Sequence, residues 1–439
     1  MSRIDNNNQI KSNMEHILKK SRVCLAGRFN AKQGLRHEEL SSSNWKRIKM
    51  STTEYESMKS FYYESLLRSM IEIDDDVEQS VYRYEMILPE QCGNLMVLKK
   101  EDGTRISYPC KMKNIQLWFF PFNIVLFSID IEESSESFSD LILMHRKWKA
   151  WFSNYDEFHT TELDDLLKPL SELSHNNNPS KMTYGTKMRQ YQVILTELKK
   201  DEFETDTIKD ELLYEIGSFS DVGIVADSDL TKDFKPAADY YNQLIRDNTL
   251  SVYSSWKALA LNDSFTVLSI DDYYLKNEYE ENFTLLYMRC LFEEFYCFDR
   301  NNLYHEVKDT DIDSKAIESE IAYMEKHYFY EDMSYNFLPP LMYRAMAKGL
   351  ELQKDREQLT QHVKQALRDA RRERNSSAVN FVQIFAVFSV VWTIREILTA
   401  IWPCIKGSES AIISGIFALI FTIVLLKRPQ LLNKLFQNN

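Results

Sequence analysis

The stretch "AVNFVQIFAVFSVVWTI" (378–394) contains no charged residue, and "AIISGIFALIFTIVLL" (411–426) contains none either. A helix that crosses a bilayer needs about 20 apolar residues, with about 17–25 as the usual range. The two stretches therefore predict a C-terminal transmembrane hairpin, with spans at 378–402 and 411–428 joined by an external loop at 403–410. The alternative is a pair of buried core helices.

The charges beside the two predicted spans suggest an orientation. The basic segment "ARRERN" (370–375) precedes the first span, and Lys427 and Arg428 follow the second, whereas one lysine and one glutamate cancel in the loop. Because basic residues mark the cytoplasmic side, we expect a multi-pass protein of the inner (cytoplasmic) membrane. Both termini, including a tail at 429–439, would then be cytoplasmic.

A helical stalk is predicted at 311–377, before the first span. After Pro339 and Pro340 the chain has strong helix formers and no proline until Pro403, which favours one helix from about 341 to about 402. Its narrow apolar stripe indicates parallel self-association; the alternative is packing against helices of the same chain. The stripe consists of Leu352, Leu359, Val363, Ala366 and Ala370.

Residues 1–310 have the pattern of an α/β domain, which we interpret as a cytoplasmic ligand-sensing domain with a candidate internal linker at 174–187. Short β-branched and aromatic runs predict strands, and apolar residues at helical spacing predict helices. The predicted strands are 80–88, 94–100, 105–112, 114–120, 123–131 and 264–270, and the predicted helices are 138–152, 279–298 and 314–329.

Composition excludes several classes of function. The net charge of −13 argues against direct nucleic-acid binding. Neither of the common glycine-rich phosphate-binding motifs is present, and no nucleophile–base pair or histidine metal motif is visible, so we expect no enzyme and no required cofactor. The acidic runs at 71–78 and 309–313 could hold a divalent cation between subunits, although solvated acidic surfaces are the alternative.

The order of α/β domain, long helix, two spans and basic tail resembles the CorA-type membrane protein family. The resemblance covers nearly the whole chain as architecture, and its sequence detail lies in the C-terminal third. It implies a ring-shaped homo-oligomer, a pentamer in this family, embedded in the lipid bilayer with the first span around a central pore.

The chain departs from that family at the outer mouth. Magnesium transporters of the family carry Gly-Met-Asn at the end of the first span, where this chain reads "ILTAIWPCIKGSES" (397–410). The missing asparagine removes the amide ring expected to hold hydrated magnesium. Without that motif the chain looks like the CorA-like membrane effectors of type III CRISPR systems, which implies activation by a nucleotide second messenger, an S-adenosylmethionine–AMP conjugate.

A pore formed by the first span would be lined by one helical face. We predict that this face has amides at the inner mouth and apolar rings above them. The alternatives are a nearly opposite face that ends in Glu396 and polar groups that bond only between helices. The predicted pore-lining residues are Asn380, Gln383, Val387, Val390 and Ile394.

The segment "HRKWKAWF" (145–152) is the candidate ligand-binding sequence. Arg146, Lys147 and Lys149 could pair with phosphate, and Trp148 could stack on a base. The alternative is a core-facing apolar stripe with solvated basic residues between its members.

These observations predict a ligand-gated channel or membrane-disrupting effector of antiviral defence, activated through its cytoplasmic domain. A CorA-type divalent-cation transporter is the first alternative. A non-conducting membrane scaffold or a membrane-tethered enzyme that degrades the messenger is the second.

Overall fold

The computed structural model describes most of the first 366 residues and isolated positions beyond them. The described residues are 18–41, 44–73, 81–88, 93–99, 105–133, 137–149, 167–175, 188–196, 206–229, 231, 233–272, 283–306, 314–366, 368, 389, 392, 393 and 396.

The chain divides into two units. The first comprises residues 1–306 and 317–360 and contains the sheet and both cavities discussed below. The second comprises residues 307–316 and 361–439, of which only a small part is described.

The first unit is built on one mixed sheet, with ten strands among the described residues. The strands are β1 (Leu18–Arg28), β2 (Trp45–Ile48), β3 (Tyr82–Met86), β4 (Gly93–Lys99), β5 (Arg105–Phe120), β6 (Ile124–Glu133), β7 (Arg189–Thr196), β8 (Thr249–Leu250), β9 (Trp256–Ala260) and β10 (Ser264–Ser269). Their order is β2-β3-β5-β6-β1-β7-β10-β9-β8, and β4 pairs with β5. Only β7 and β10 run parallel among the pairs described.

Helices flank this sheet and connect its strands. They are α1 (Thr52–Lys59), α2 (Glu64–Met70), α3 (Phe138–Lys149), α4 (Asp206–Ser218), α5 (Ala238–Asn248), α6 (Thr284–Glu306), α7 (Ser314–His327) and α8 (Leu338–Gly349). Two short 3-10 helices lie at His37–Ser41 and Pro121–Asn123. Residues 352–366 form a further helical segment.

β1 lies at the centre because the sequence "LKKSRVCLAGR" can be buried on both faces. Residues Ser21–Gly27 are all buried, and β1 pairs with β6 on one side and with β7 on the other. Helices cover both faces of the sheet. Trp148 of α3 bonds to Glu133 on one face, and Phe292 of α6 stacks on Phe120 at 4.4 Å on the other.

The predicted continuous helix from 341 to 402 is interrupted. α8 ends at Gly349, and Glu351 adopts a positive φ of 55° before the next helical segment begins. A Cβ on Gly349 would lie 2.9 Å from the carbonyl carbon of Ala260, so glycine permits α8 to approach β9. Leu352 and Leu359 of the predicted oligomer stripe are buried within a single chain, which is the packing expected of a helix that folds against its own domain.

The predicted transmembrane hairpin is contradicted by the structure. None of the helices found among the described residues combines the length and the apolar character needed to cross a membrane. α6 has 23 residues, but Arg289, Glu293 and Glu294 lie near its middle, and the cost of placing such charges in hydrocarbon excludes it. The fold class is corrected to a mixed sheet flanked by helices, without a membrane-spanning helix among the described residues. The same finding contradicts the predicted multi-pass inner-membrane localisation and the predicted ion channel. The segments 378–402 and 411–428 lie outside the described residues, apart from Ser389, Trp392, Thr393 and Glu396.

Candidate ligand-binding site

The basic and aromatic residues predicted on α3 do not form a common pocket. Trp148 is fully buried, and its Nε1 donates to Oε1 of Glu133 at 3.1 Å. Arg146 bonds to Asp221 at 2.7 Å, and Lys149 forms an ion pair with Asp263. None of the four predicted residues, Arg146, Lys147, Trp148 and Lys149, lines either of the two cavities described here.

The other predicted sites cannot be placed. The pore-lining candidates Asn380, Gln383, Val387, Val390 and Ile394 lie outside the described residues. Most of the two acidic runs, residues 74–78 and 309–313, lies outside them too. Within the described part of the chain, no group of three or more His, Cys, Asp or Glu side chains could hold a metal ion.

The sheet itself carries a cleft of about 710 Å³ on the face that α6 covers only in part. We call it the Arg83 cleft. Its floor is formed by β1, β3, β5 and β6, and its rim by α1, the end of β2 and the beginning of α6. The polar lining residues are Arg22, Lys49, Glu54, Ser57, Glu72, Arg83, Lys113, Asn114, Gln116, Ser128, Asp130 and Thr284.

The floor is polar although it belongs to the interior face of a sheet. Strand alternation brings Asn114 and Asp130 to this face as partners in register, with Arg22 beside them on β1. Nε of Arg22 donates to Oδ1 of Asp130 at 3.0 Å, and Nδ2 of Asn114 donates to Oδ2 at 3.5 Å. Polar groups removed from water are costly unless they are paired, so this floor is organised by its own hydrogen bonds.

Arg83 lines the cleft with a hydrogen-bond donor that is left without a partner among the described residues. Its guanidinium carbon lies 4.1 Å from the centre of the Trp118 ring, and one terminal nitrogen donates to Gln116 at 3.3 Å. Its Nε is buried and has no hydrogen-bond partner among the described residues. Desolvation lowers the pKa of Arg83 to about 10, so the side chain keeps its positive charge at neutral pH.

Trp118 is fixed in turn by the neighbouring strand. Its Nε1 donates to Oγ of Ser128 at 3.1 Å, and the ring is 1% exposed. The indole cannot rotate away without losing this bond, so it holds a planar surface beneath the Arg83 guanidinium. A half-buried arginine on an indole face is a cation–π pair, and the unpartnered Nε of Arg83 is a donor that an anion could use.

The rim of the cleft carries charges of both signs. Glu72 accepts from Nε of Arg47 at 2.8 Å and lies 3.8 Å from Nζ of Lys49. Lys113 pairs with Glu132 at 2.6 Å. The lining itself contains the basic residues Arg22, Lys49, Arg83 and Lys113 and the acidic residues Glu54, Glu72 and Asp130.

The N-terminal end of α6 also borders the Arg83 cleft. Thr284 and Leu285, the first two residues of this 23-residue helix, both line the cleft. The macrodipole of a helix gives its N-terminal end a partial positive charge, and this end of α6 lies at the same cleft as Arg83.

Sequence reasoning placed β3 correctly but missed the role of Arg83. In "SVYRYEMIL" (80–88) the aromatic and apolar alternation favours the face of Tyr82 and Tyr84, and assigns Arg83 to the opposite face. Such a face is normally solvated in an antiparallel sheet. The informative signal was Asn114 and Gln116 alternating with apolar residues on β5, but only strand pairing places them beside Arg83.

The arrangement can bind a small polar ligand through charge and hydrogen bonds. It contains a guanidinium with an unused donor, paired carboxylates and a fixed indole, all within one cavity. Comparison of the whole chain with protein-family models, with curated proteins and with solved structures found no match.

Proposed function

We propose that this protein is a sensor that binds a nucleotide-type second messenger in the Arg83 cleft. The observation that carries the proposal is the buried Nε of Arg83, which lacks a hydrogen-bond partner among the described residues while Trp118 packs against the guanidinium. A phosphate oxygen would accept a hydrogen bond from the unpartnered N–H of Arg83.

The mixed charges of the cleft favour a ligand that itself carries both signs. The S-adenosylmethionine–AMP conjugate has a negatively charged phosphate and a positively charged sulfonium centre. The phosphate would lie near Arg83 and the start of α6, and the sulfonium near the carboxylates of Glu72 and Asp130. The cavity of about 710 Å³ falls within the range of about 300–1,000 Å³ typical of small-ligand sites.

The test is calorimetric titration of the full chain with the S-adenosylmethionine–AMP conjugate. Arg83→Gln should weaken binding by about tenfold or more, because a charge-assisted hydrogen bond contributes about 1.5–3 kcal/mol. Arg246→Gln is the matched control, since Arg246 is exposed on α5, pairs with its neighbour Asp247 and lines neither cavity. This variant should bind like the parent.

Two further measurements separate the alternatives. Arg146→Gln tests the basic segment on α3. If Arg146→Gln loses affinity while Arg83→Gln keeps full affinity, the ligand binds on α3 and the proposal is refuted. Chromatography of the ligand after incubation tests for turnover. An intact ligand is expected of a sensor, and its hydrolysis would identify an enzyme.

A further inference from the structure

A second cavity lies where β1 and β5 end, and we call it the Arg36 cavity. It measures about 980 Å³ and is enclosed by the segment 28–38, the β5–β6 turn and α7. It is distinct from the Arg83 cleft, because Phe119 and Phe120 of β5 line it while Asn114, Gln116 and Trp118 line the cleft.

The Arg36 cavity presents two exposed basic side chains, Lys32 and Arg36, with Glu38 as the acidic residue of its described lining. Lys32 and Arg36 are exposed, and neither side chain forms an ion pair or hydrogen bond within the described residues. The basic residues at the Arg83 cleft differ, since Arg22, Lys49 and Lys113 all lie next to carboxylates. Because Arg28 is paired with Asp299, Lys32 and Arg36 stand against Glu38 in the described lining. This leaves a small local excess of positive charge in a chain with a net charge of −13.

Rings line the same cavity. The His37 ring stacks on Tyr82 with centroids 3.7 Å apart and an interplanar angle of 14°. Phe122 lies in the turn between β5 and β6, with its ring 5.6 Å from Tyr323 and 5.1 Å from Tyr296. These residues offer planar apolar surfaces beside the cations.

Backbone geometry fixes both walls of the Arg36 cavity. Phe122 and Asn123 adopt positive φ values of 62° and 59°, a conformation that costs about 1–3 kcal/mol for non-glycine residues and is retained only where packing enforces it. On the other wall, the amide of Lys32 donates to the carbonyl of Leu173 at 3.0 Å. A turn with Gly34 at a φ of 79° then carries the chain towards Arg36. The cations and the rings are thus displayed by ordered backbone.

We infer that the Arg36 cavity is a second binding site, for a phosphate-bearing ligand with a planar base, that is, a mononucleotide. Lys32 and Arg36 would pair with the phosphates, because guanidinium and ammonium groups are the usual partners of phosphate. The rings of His37, Phe122 and Tyr323 would contact the base, because every base offers a π face for stacking. This site does not depend on the function proposed for the Arg83 cleft.

The test uses ATP, inorganic triphosphate and adenosine as three separate probes in calorimetric titrations of the full chain. ATP should bind more tightly than either fragment, because only ATP engages both the cations and the rings. The double variant Lys32→Gln/Arg36→Gln should weaken ATP binding by about tenfold or more. Both side chains are exposed, so the variant should fold like the parent, as circular dichroism would verify.

The matched control is Arg246→Gln, an exposed arginine that lines neither cavity, and it should leave ATP affinity unchanged. Arg83→Gln tests separately whether ATP occupies the Arg83 cleft instead. Equal ATP affinity in the parent and in the double variant would overturn the inference. Loss of ATP binding in Arg83→Gln alone would overturn it too, because the nucleotide would then occupy the Arg83 cleft. Absence of ATP binding at millimolar concentration would have the same consequence.

Discussion

The guanidinium of Arg83 lies 4.1 Å from the centre of the Trp118 ring, on a sheet face where both side chains border one cleft. The two residues are Cα partners across the β3–β5 ladder. Their contact is therefore set by strand register, and the opposite partners Tyr82 and Phe119 border the Arg36 cavity on the other side of the same strands. One pair of strands therefore contributes to two cavities with different linings.

Replacing Trp118 by phenylalanine should remove the fluorescence signal of ligand binding. If the proposed ligand, the S-adenosylmethionine–AMP conjugate, occupies the cleft that Trp118 lines, its addition should change the indole emission of the parent protein. Trp118→Phe keeps an aromatic face for Arg83 but loses the hydrogen bond to Ser128. Trp256→Phe on β9 is the control and should retain the signal. A signal that persists in Trp118→Phe would argue against this cleft.

Trp148→Phe should lower stability without changing ligand affinity. Glu133 is fully buried and accepts from Ser21 at 2.9 Å, His145 at 2.8 Å and Trp148 at 3.1 Å. Removing one donor from a buried carboxylate costs about 1–3 kcal/mol. Urea denaturation should show this loss in the free energy of unfolding. Reduced ligand affinity at unchanged stability would instead restore the predicted binding role of Trp148.

Glu215 provides a pH-dependent test. It is buried on α4, where its Oε1 accepts from the amide of Val225 at 3.3 Å, while its Oε2 has no partner within the described residues. Burial raises the pKa of Glu215 from 4.5 to about 7. Between these two values the unfolded state has lost the proton that the folded state still holds.

The free energy of unfolding should therefore fall as pH rises from about 4.5 to about 7, by up to about 3 kcal/mol from this group, and should change no further above that range. Glu215→Gln cannot ionise, so its stability relative to the parent should increase from pH 4.5 to pH 8. Urea denaturation at both pH values measures the difference. The exposed Glu331→Gln is the control, with an expected effect close to zero at either pH. A constant difference for Glu215→Gln would contradict the raised pKa.

Gly349→Ala should destabilise the first unit by about 1–3 kcal/mol, the usual cost of overpacking. The added Cβ would meet both the carbonyl carbon and the Cβ of Ala260 at 2.9 Å. Gly217→Ala is the comparison, because its nearest contacts are side-chain atoms at 3.3 Å that can yield. In thermal unfolding, the melting temperature of Gly349→Ala should be lower than that of Gly217→Ala. The reverse order would show that α8 can shift away from β9.

Local sequence patterns were sufficient for several elements. The alternation in 80–88, 123–131 and 264–270 predicted strands that the structure confirms as β3, β6 and β10, and the helical spacing after residue 138 predicted α3. The runs 105–112 and 114–120 form a single strand, β5, whose register shifts between Met112 and Asn114. A bulge interrupts the alternation without ending the strand, so the sequence pattern resembled two strands.

The C-terminal prediction shows the limit of hydropathy. Hydropathy identifies an uncharged stretch near 20 residues as a candidate membrane span, but it does not report what the preceding helix packs against. The helix predicted to continue into the first span instead ends at Gly349, where α8 packs closely against Ala260. That contact joins segments almost 90 residues apart, and no local period reports it.

The sequence by itself determined the strand and helix periods, the acidic charge and the positions of the basic and aromatic residues, because these depend only on composition and on neighbours along the chain. Tertiary structure alone decided which residues form the sites. β1 pairs with β6 across more than 100 positions, so that Arg22 reaches Asp130. Pairing of β3 with β5 sets Arg83 on Trp118. Register is a non-local property, since a shift by one residue would turn every one of these side chains to the other face.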